Sequence, residues 1–299
     1  MHNSIIEKCN YLLSPLDILT WCQKMVRVGI LQLGYSIDPY KNLEKTVKYI
    51  NSFYKDADIV VLPEYSMMDI LQMSPREVYS RSEHIEDSKY LGVLAKLAMD
   101  LNTNILAHFI EKTSQEPYTY STSVLITNSG TLIPVYRKMH LFDAYGFKES
   151  NYFLPGKELF KEIAIKETKF RVAICFDLRF PELFRLYAYL GAHGILIHSG
   201  WVRGPLKEEI LEFLVKTRAH ENTYWVIVSD HYGKNYVGRS MIVDPYGVKV
   251  IDLGIGEKYI EYDIDISLIN DARRIVPVID ISKRKWVIKQ KDADKTIHP

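Results

Sequence analysis

Apolar positions along the chain fall into short continuous runs separated by stretches of helical periodicity. Val26 to Leu33 (VRVGILQL) reads as a strand, and Asn42 to Tyr54 sets Leu43, Val47, Ile50 and Phe53 on one helical stripe. Ile59 to Leu62 is a short apolar strand that stops at Pro63-Glu64, Ser88 to Leu101 is helical, and Asn104 to Phe109 is strand-like. Ser123 to Thr127 and Leu132 to Arg137 flank the turn signal Asn128-Ser129-Gly130 and predict a hairpin. The run Val172 to Ile174 enters Cys175 directly, and Pro181 opens a helix shortly after. A proline suits a first helical position because its missing N–H would have no partner there. Further strands are predicted at Gly194 to His198, Tyr224 to Ser229, Arg239 to Val243, Val248 to Ile251 and Lys258 to Tyr262. A helix covers Leu206 to Glu221, and Asp244-Pro245-Tyr246-Gly247 is a turn.

Strands and helices alternate and hairpins intrude, which is the signature of an α/β fold with a mixed sheet arrangement. Most strands are apolar along their length, so both faces should be covered. No internal repeat or low-complexity linker divides the chain, and one domain is expected over residues 25–286. Residues 1–24 precede the first firm strand. Their SPLDILTWC segment reads as a short helix on the surface or at a subunit contact, or as an extension of a chain that works from Met25. Residues 287–299 form a charged tail, read as a solvated end or an arm onto a neighbouring subunit.

Composition narrows the class. The 299 residues are 47% hydrophobic and 25% charged, as in ordinary globular proteins. A formal charge of +1 argues against nucleic acid as a partner. Three cysteines, Cys9, Cys22 and Cys175, form neither a disulfide framework nor a CxxC pair. No apolar run is long enough to span a bilayer, and Glu7, Lys8 and Asp17 interrupt the N-terminal apolar residues that a signal peptide would need. A cytoplasmic protein with no membrane partner is the expectation.

Three apolar strands end in a residue with chemistry: Glu64 after Val60-Val61-Leu62-Pro63, Lys138 after Leu132 to Arg137, and Cys175 after Val172 to Ile174. Strand ends are where sites assemble in α/β sheets. Each has a plain structural reading. Glu64 and Lys138 would serve as surface charges, His140 as a packed residue, and Cys175 as a small core residue. Amide hydrolysis by a thiol needs a nucleophile, a base and fixed positive charge at the oxyanion. The joint occurrence of Cys, Glu and Lys at strand ends meets that need.

The motifs LPEYS (62–66), YRKMHLFD (136–143), ICFDLRFPEL (174–183), RAHEN (218–222) and GRSMIVDPYG (238–247) follow one another over almost the whole chain. The chain resembles the nitrilase superfamily of carbon–nitrogen hydrolases. The resemblance implies a four-layer α-β-β-α sandwich and a triad of Glu64 (base), Lys138 (oxyanion stabiliser) and Cys175 (nucleophile). It also implies that the Phe176 N–H is a second oxyanion donor and that Glu149 helps place substrate or lysine. It needs no metal and no organic cofactor, and it suggests a homodimer or higher homo-oligomer, with Phe184, Leu186, Tyr187 and Leu190 forming an apolar face for a subunit contact or for core packing.

The CFDLRFPEL form is most similar to the omega-amidase and deaminated-glutathione amidase branch. The implied reaction is hydrolysis of a small linear carboxamide, such as an omega-amide of a dicarboxylic acid, with N-carbamoyl hydrolysis, a nitrilase and a silent binding protein as alternatives. Tyr65, Tyr145, Phe176, Ser199 and Trp201 are candidates for the acyl pocket. Arg203 and Lys207 are either carboxylate-recognising or plain solvent-exposed charges. Arg179 and Glu182 are expected in ion pairs that steady the turn after Cys175 or a subunit contact.

Overall fold

The computed structural model describes residues 25–158 and 161–288. The segment 1–24, with Cys9 and Cys22, and all of the charged tail beyond residue 288 lie outside them. Two six-stranded mixed sheets form the centre of the molecule. The first contains β1 (Met25–Gln32), β2 (Ile59–Val61), β3 (Asn104–Lys112), β4 (Thr119–Ile126), β5 (Leu132–Arg137) and β14 (Lys258–Asp265), in the order β14-β1-β2-β3-β4-β5. The second contains β8 (Ile163–Ile165), β9 (Thr168–Ile174), β10 (Gly194–Ser199), β11 (Trp225–Asp230), β12 (Met241–Val243) and β13 (Lys249–Asp252), in the order β13-β12-β11-β10-β9-β8. A small hairpin, β6 (Asp143–Ala144) with β7 (Phe147–Lys148), projects beyond β5.

The alternation of side chains along each strand decides what faces what. Val26, Val28 and Ile30 of β1, Ile59 and Val61 of β2 and Leu106 of β3 share one core with residues of the second sheet. Leu31, Val60, Ile105, Ala107 and Phe109 point the other way. They pack under α1 (Pro39–Phe53) and α3 (Lys89–Leu101), which contribute Leu43, Ile50, Leu91 and Leu94. Asp38 caps α1 by accepting the N–H groups of Tyr40 and Lys41, and Ser88 caps α3 through the Leu91 N–H. On the far side, α4 (Pro181–Tyr189) and α5 (Lys207–Asn222) cover the second sheet with Leu183, Phe184, Leu211 and Val215. The result is the expected α-β-β-α sandwich. Each large aliphatic side chain it buries is worth about 1.5–3 kcal/mol.

Four regions went beyond the sequence reading. α2 (Pro75–Arg81) carries one buried residue, Val78, and writes no clear apolar stripe, whereas α6 (Ser267–Ile275) sets Leu268, Ile269, Ala272 and Ile275 at helical spacing and went unread. β8 is three residues long, and α7 (Val278–Lys283) buries Ile279 alone. Arg239 lies ahead of β12 in the left-handed region, φ 59°, so the strand begins later than expected.

Candidate active site

The parallel strands of both sheets deliver their C-terminal ends to one edge of the inter-sheet core. β2 runs on to Glu64, and the Glu64 N–H donates to the Ser199 carbonyl at the end of β10 (3.2 Å). β5 runs on to Lys138, whose N–H donates to Ser121 O (2.9 Å). β9 ends at Cys175. Two sheets and four separate strands therefore meet at one point.

The Lys138 ammonium lies 2.8 Å from Glu64 Oε1 and 2.8 Å from Glu149 Oε1, and all three side chains are at most 1% exposed. Glu149 is held in turn by the Tyr65 hydroxyl (2.7 Å) and the Phe142 N–H (2.5 Å). The Gly200 N–H donates to Glu64 Oε2 at 2.9 Å. The Cys175 thiol lies against the Glu64 carboxyl and the Gly200 N–H. Buried charge clusters of this kind are weak sources of stability, because desolvation offsets their attraction.

Burial opposes the Lys138 charge, but Glu149 and Glu64 outweigh it and hold the ammonium above its ordinary range. Lys138 is thus a permanent cation and no proton acceptor. Burial pushes the Cys175 thiol well up, and the Glu64 carboxylate adds to this against Lys138 and the Gly200 N–H. This favours the neutral thiol over the thiolate. Burial also raises Glu64, against the pull of Lys138, toward the range where a carboxylate both takes and returns a proton.

Cys175 has φ 44°, a conformation that costs a non-glycine residue roughly 1–2 kcal/mol. The short turn Cys175–Arg179 then leads into α4. Buried Asp177 sustains this elbow: its Oδ2 accepts the Ile174 N–H and the Tyr136 hydroxyl, both at 2.9 Å, and its Oδ1 accepts the His140 N–H at 3.2 Å and contacts His140 Nδ1 at 2.7 Å. His140 stacks on Phe180 with ring centroids 3.7 Å apart. N–H groups at the start of such a turn have no partner within it, and Phe176 lines the space above the thiol.

A narrow cavity opens above the thiol. Tyr65, Phe142, Phe176, Trp201 and Tyr236 give it aromatic walls. Arg179 and Lys207 add two cations. Arg179 Nε and Nη2 have no hydrogen-bond partner among the described residues, and the guanidinium lies 5.1 Å from the Trp201 ring and 5.8 Å from that of Phe176. The Lys207 ammonium sits 3.5 Å from the centre of the Tyr145 ring. Tyr145 and Leu206, both with positive φ, bring that tyrosine and that lysine together at the mouth.

Of the residues singled out in the sequence, Glu64, Lys138, Cys175 and Glu149 converge, with Phe176, Tyr65 and Trp201 on the wall above them. Ser199 is fully buried behind the wall, because it is the last residue of β10 and only the turn after it reaches the cavity. Tyr145 is 70% exposed and covers Lys207 from outside. The ion pairs expected for Arg179 and Glu182 do not form among the described residues. Glu182 is solvent-exposed on α4, and Arg179 turns into the cavity. Arg203 pairs with Glu208 at 3.5 Å on the surface, so of the two candidate carboxylate contacts only Lys207 lines the cavity. Asp177 and Gly200 went unassigned in the sequence, Asp177 although it lies two residues from the thiol. Among the described residues, no His, Cys, Asp and Glu group has the makings of a metal site, and no helix is long and apolar enough to cross a membrane.

The family model for carbon–nitrogen hydrolases matches residues 27–274. The chain belongs to the carbon–nitrogen hydrolase family. Omega-amidase NIT3 of Saccharomyces cerevisiae is 33% identical over 85% of this chain and 91% of its own length. A deaminated glutathione amidase of Rattus norvegicus is 32% identical over 84% of this chain and 80% of its own. The crystal structure of Saccharomyces cerevisiae Nit3, a member of branch 10 of the nitrilase superfamily, superposes with a TM-score of 0.76 at 28% identity, over 88% of this chain and 97% of that one. A carbon–nitrogen hydrolase of this family acts on a C–N bond other than a peptide bond.

Proposed function

We propose that this carbon–nitrogen hydrolase cleaves small carboxamides that also carry a carboxylate, through a thioester on Cys175, and releases ammonia. One observation carries the reading: a buried thiol, carboxylate and ammonium sit at the floor of an aromatic cavity whose two further cations, Arg179 and Lys207, have no carboxylate partner among the described residues. An omega-amide of a dicarboxylic acid presents a carboxylate to those cations and its amide to the thiol. The likeness to proteins named omega-amidase and deaminated glutathione amidase supports the same class.

In the proposed sequence Glu64 takes the Cys175 proton and the thiolate attacks the amide carbon. Lys138 and the Phe176 N–H hold the oxyanion. Glu64 returns the proton to the nitrogen as the C–N bond breaks, so ammonia leaves and a thioester remains. Water then gives a proton to Glu64 and adds to the thioester. The tetrahedral adduct collapses to the carboxylic acid, and the proton goes back to the thiol.

The test is ammonia release from dicarboxylic acid monoamides, neutral amides, ureides and nitriles, with Cys175→Ala beside the wild type. Monoamides such as succinamate should be the best substrates, and Cys175→Ala should be inactive. Arg179→Gln and Lys207→Met should raise KM for the monoamide roughly tenfold or more, since a hydrogen bond to a charged group is worth about 1.5–3 kcal/mol, while leaving neutral amides nearly unchanged. Turnover confined to ureides or nitriles would replace the amide reading, and activity surviving in Cys175→Ala would end the mechanism.

A further inference from the structure

Asp230, the last residue of β11, is fully buried, and no cation is placed to compensate it among the described residues. Its Oδ1 accepts the Trp201 N–H at 2.8 Å, while its Oδ2 has no close hydrogen-bond partner among the described residues, the Ser199 hydroxyl and the Gly238 N–H lying near the carboxyl. A carboxyl left in such a place carries a desolvation cost that an apolar core residue would not. Its surroundings show what it holds. Ser199 stands opposite Asp230 in the β10–β11 register. The Ser199 carbonyl accepts two N–H groups, from His231 at 2.8 Å and from Glu64 at 3.2 Å. The next residue, Gly200, donates its N–H to Glu64 Oε2 at 2.9 Å. A Cβ at Gly200 would come within 3.1 Å of that same oxygen, so this turn fits closely against Glu64. Asp230 therefore fastens one side of a three-residue turn, and Glu64 leans on the other.

We propose that Asp230 is a positioning residue for Glu64: by holding the Trp201 N–H it fixes the 199–201 turn, and the Gly200 N–H then keeps the Glu64 carboxylate aimed at Cys175. The proposal rests on Glu64 being the base, as set out above. The charge balance agrees with it. Burial raises Asp230 strongly, and the nearby Glu64 adds to this, against the Ser199 hydroxyl and the Trp201 and Gly238 N–H groups. A charge there would in turn raise the Cys175 thiol further. Asp230 supplies the acceptor that the Trp201 N–H needs.

Asparagine keeps the acceptor oxygen and lacks the charge, whereas alanine and serine cannot reach the Trp201 N–H. The test measures kcat and KM for succinamate in Asp230→Ala, Asp230→Ser and Asp230→Asn, with thermal melting of each and Cys175→Ala alongside. Misplacement of a reacting group by about 1 Å costs on the order of a hundredfold, so Ala and Ser should lower kcat by about 10–100-fold. KM should change less than kcat, because Arg179 and Lys207 themselves are kept although Trp201 borders both, and Asn should restore kcat to within about threefold of wild type. A folded Ala or Ser variant with wild-type kcat would overturn the proposal. So would an Asn variant as impaired as alanine, or a loss expressed in KM alone. If Asp230→Ala fails to fold, the serine and asparagine variants decide. Activity in Cys175→Ala would condemn the nucleophile reading itself; an inactive Cys175→Ala beside a fully active Asp230→Ala would condemn only the role of Asp230.

Discussion

Lys138 sits between two carboxylates that cannot both use it fully, and this division sets the behaviour of Glu64. Glu149 also has the Tyr65 hydroxyl and the Phe142 N–H, whereas Glu64 has only the Gly200 N–H besides the lysine and faces the thiol. Glu149 is therefore the more firmly held of the two, and Glu64 is the one that faces the thiol. Burial raises its titration above the ordinary carboxylate range, with Lys138 opposing and Glu149 reinforcing. The proposed role requires the ionised form in the free enzyme, so kcat/KM should fall as pH drops through this raised value. The acid limb of a pH–rate profile should stand clearly above about 4.3, the ordinary value for glutamate. Activity that persists undiminished to pH values below that would remove Glu64 as the base.

Between the sheets, next to this cluster, lies a polar layer that only strand packing explains. His198 of β10 contacts the Leu62 carbonyl through Nδ1 at 2.5 Å, so Nδ1 carries the hydrogen, and Nε2 meets Ser123 Oγ of β4 at 2.8 Å. His108 of β3 accepts the Tyr65 N–H at 3.1 Å and meets Ser121 Oγ at 2.8 Å. The two rings thus brace the backbone on either side of Glu64 in their neutral forms. Burial depresses His198 to about 4, against the bond to Leu62 that favours its charge. The unfolded chain takes up this proton near pH 6.5 while the fold refuses it until about 4, so the fold is fully stable above pH 6.5 and loses stability below it. From pH 7 to pH 5 the loss from His198 alone is about 2 kcal/mol; His108 and His231 are depressed too and steepen the slope. His198→Asn, which keeps a donor for Leu62 O, should show a smaller loss in urea unfolding at the two pH values, and an unchanged slope would contradict this. Such cross-sheet relations also mark where sequence reading stops. Glu64, Lys138 and Cys175 were visible because each follows an apolar strand in its own segment. The Asp230–Trp201 and Gly200–Glu64 contacts depend on how distant strands meet, and nothing local to residues 199–201 announces them. α7 was missed for a different reason: it buries Ile279 alone, too little to write a helical stripe, whereas the Leu268, Ile269, Ala272 and Ile275 stripe of α6 was legible and went unread.

The whole molecule closes through its last strand. β14 pairs with β1 along its full length, from Met25 opposite Asp265 to Gln32 opposite Lys258, and Arg27 of β1 is held by Asp263 of β14 at 2.6 Å. Sheet one is therefore incomplete until the chain has passed through all of sheet two. The core between the sheets is common property, with Ile30 and Ile264 from the first sheet in one cluster with Leu196 and Ile227 from the second. Neither sheet can bury its inner face alone, so the two should unfold together although the chain exceeds the usual size for two-state behaviour. Ile30→Ala and Ile264→Ala should each cost about 2–5 kcal/mol and move one common urea transition at unchanged m-value. Circular dichroism and the fluorescence of Trp201 and Trp225, both on the second-sheet half, should report the same midpoint. Carbon–nitrogen hydrolysis should vanish at that midpoint and not before, because Glu64 and Lys138 hang from one sheet and Cys175 from the other. A variant in which tryptophan fluorescence survives while the first sheet has melted would show that the halves are separable, and that the site is assembled by docking two stable units instead of by one cooperative fold.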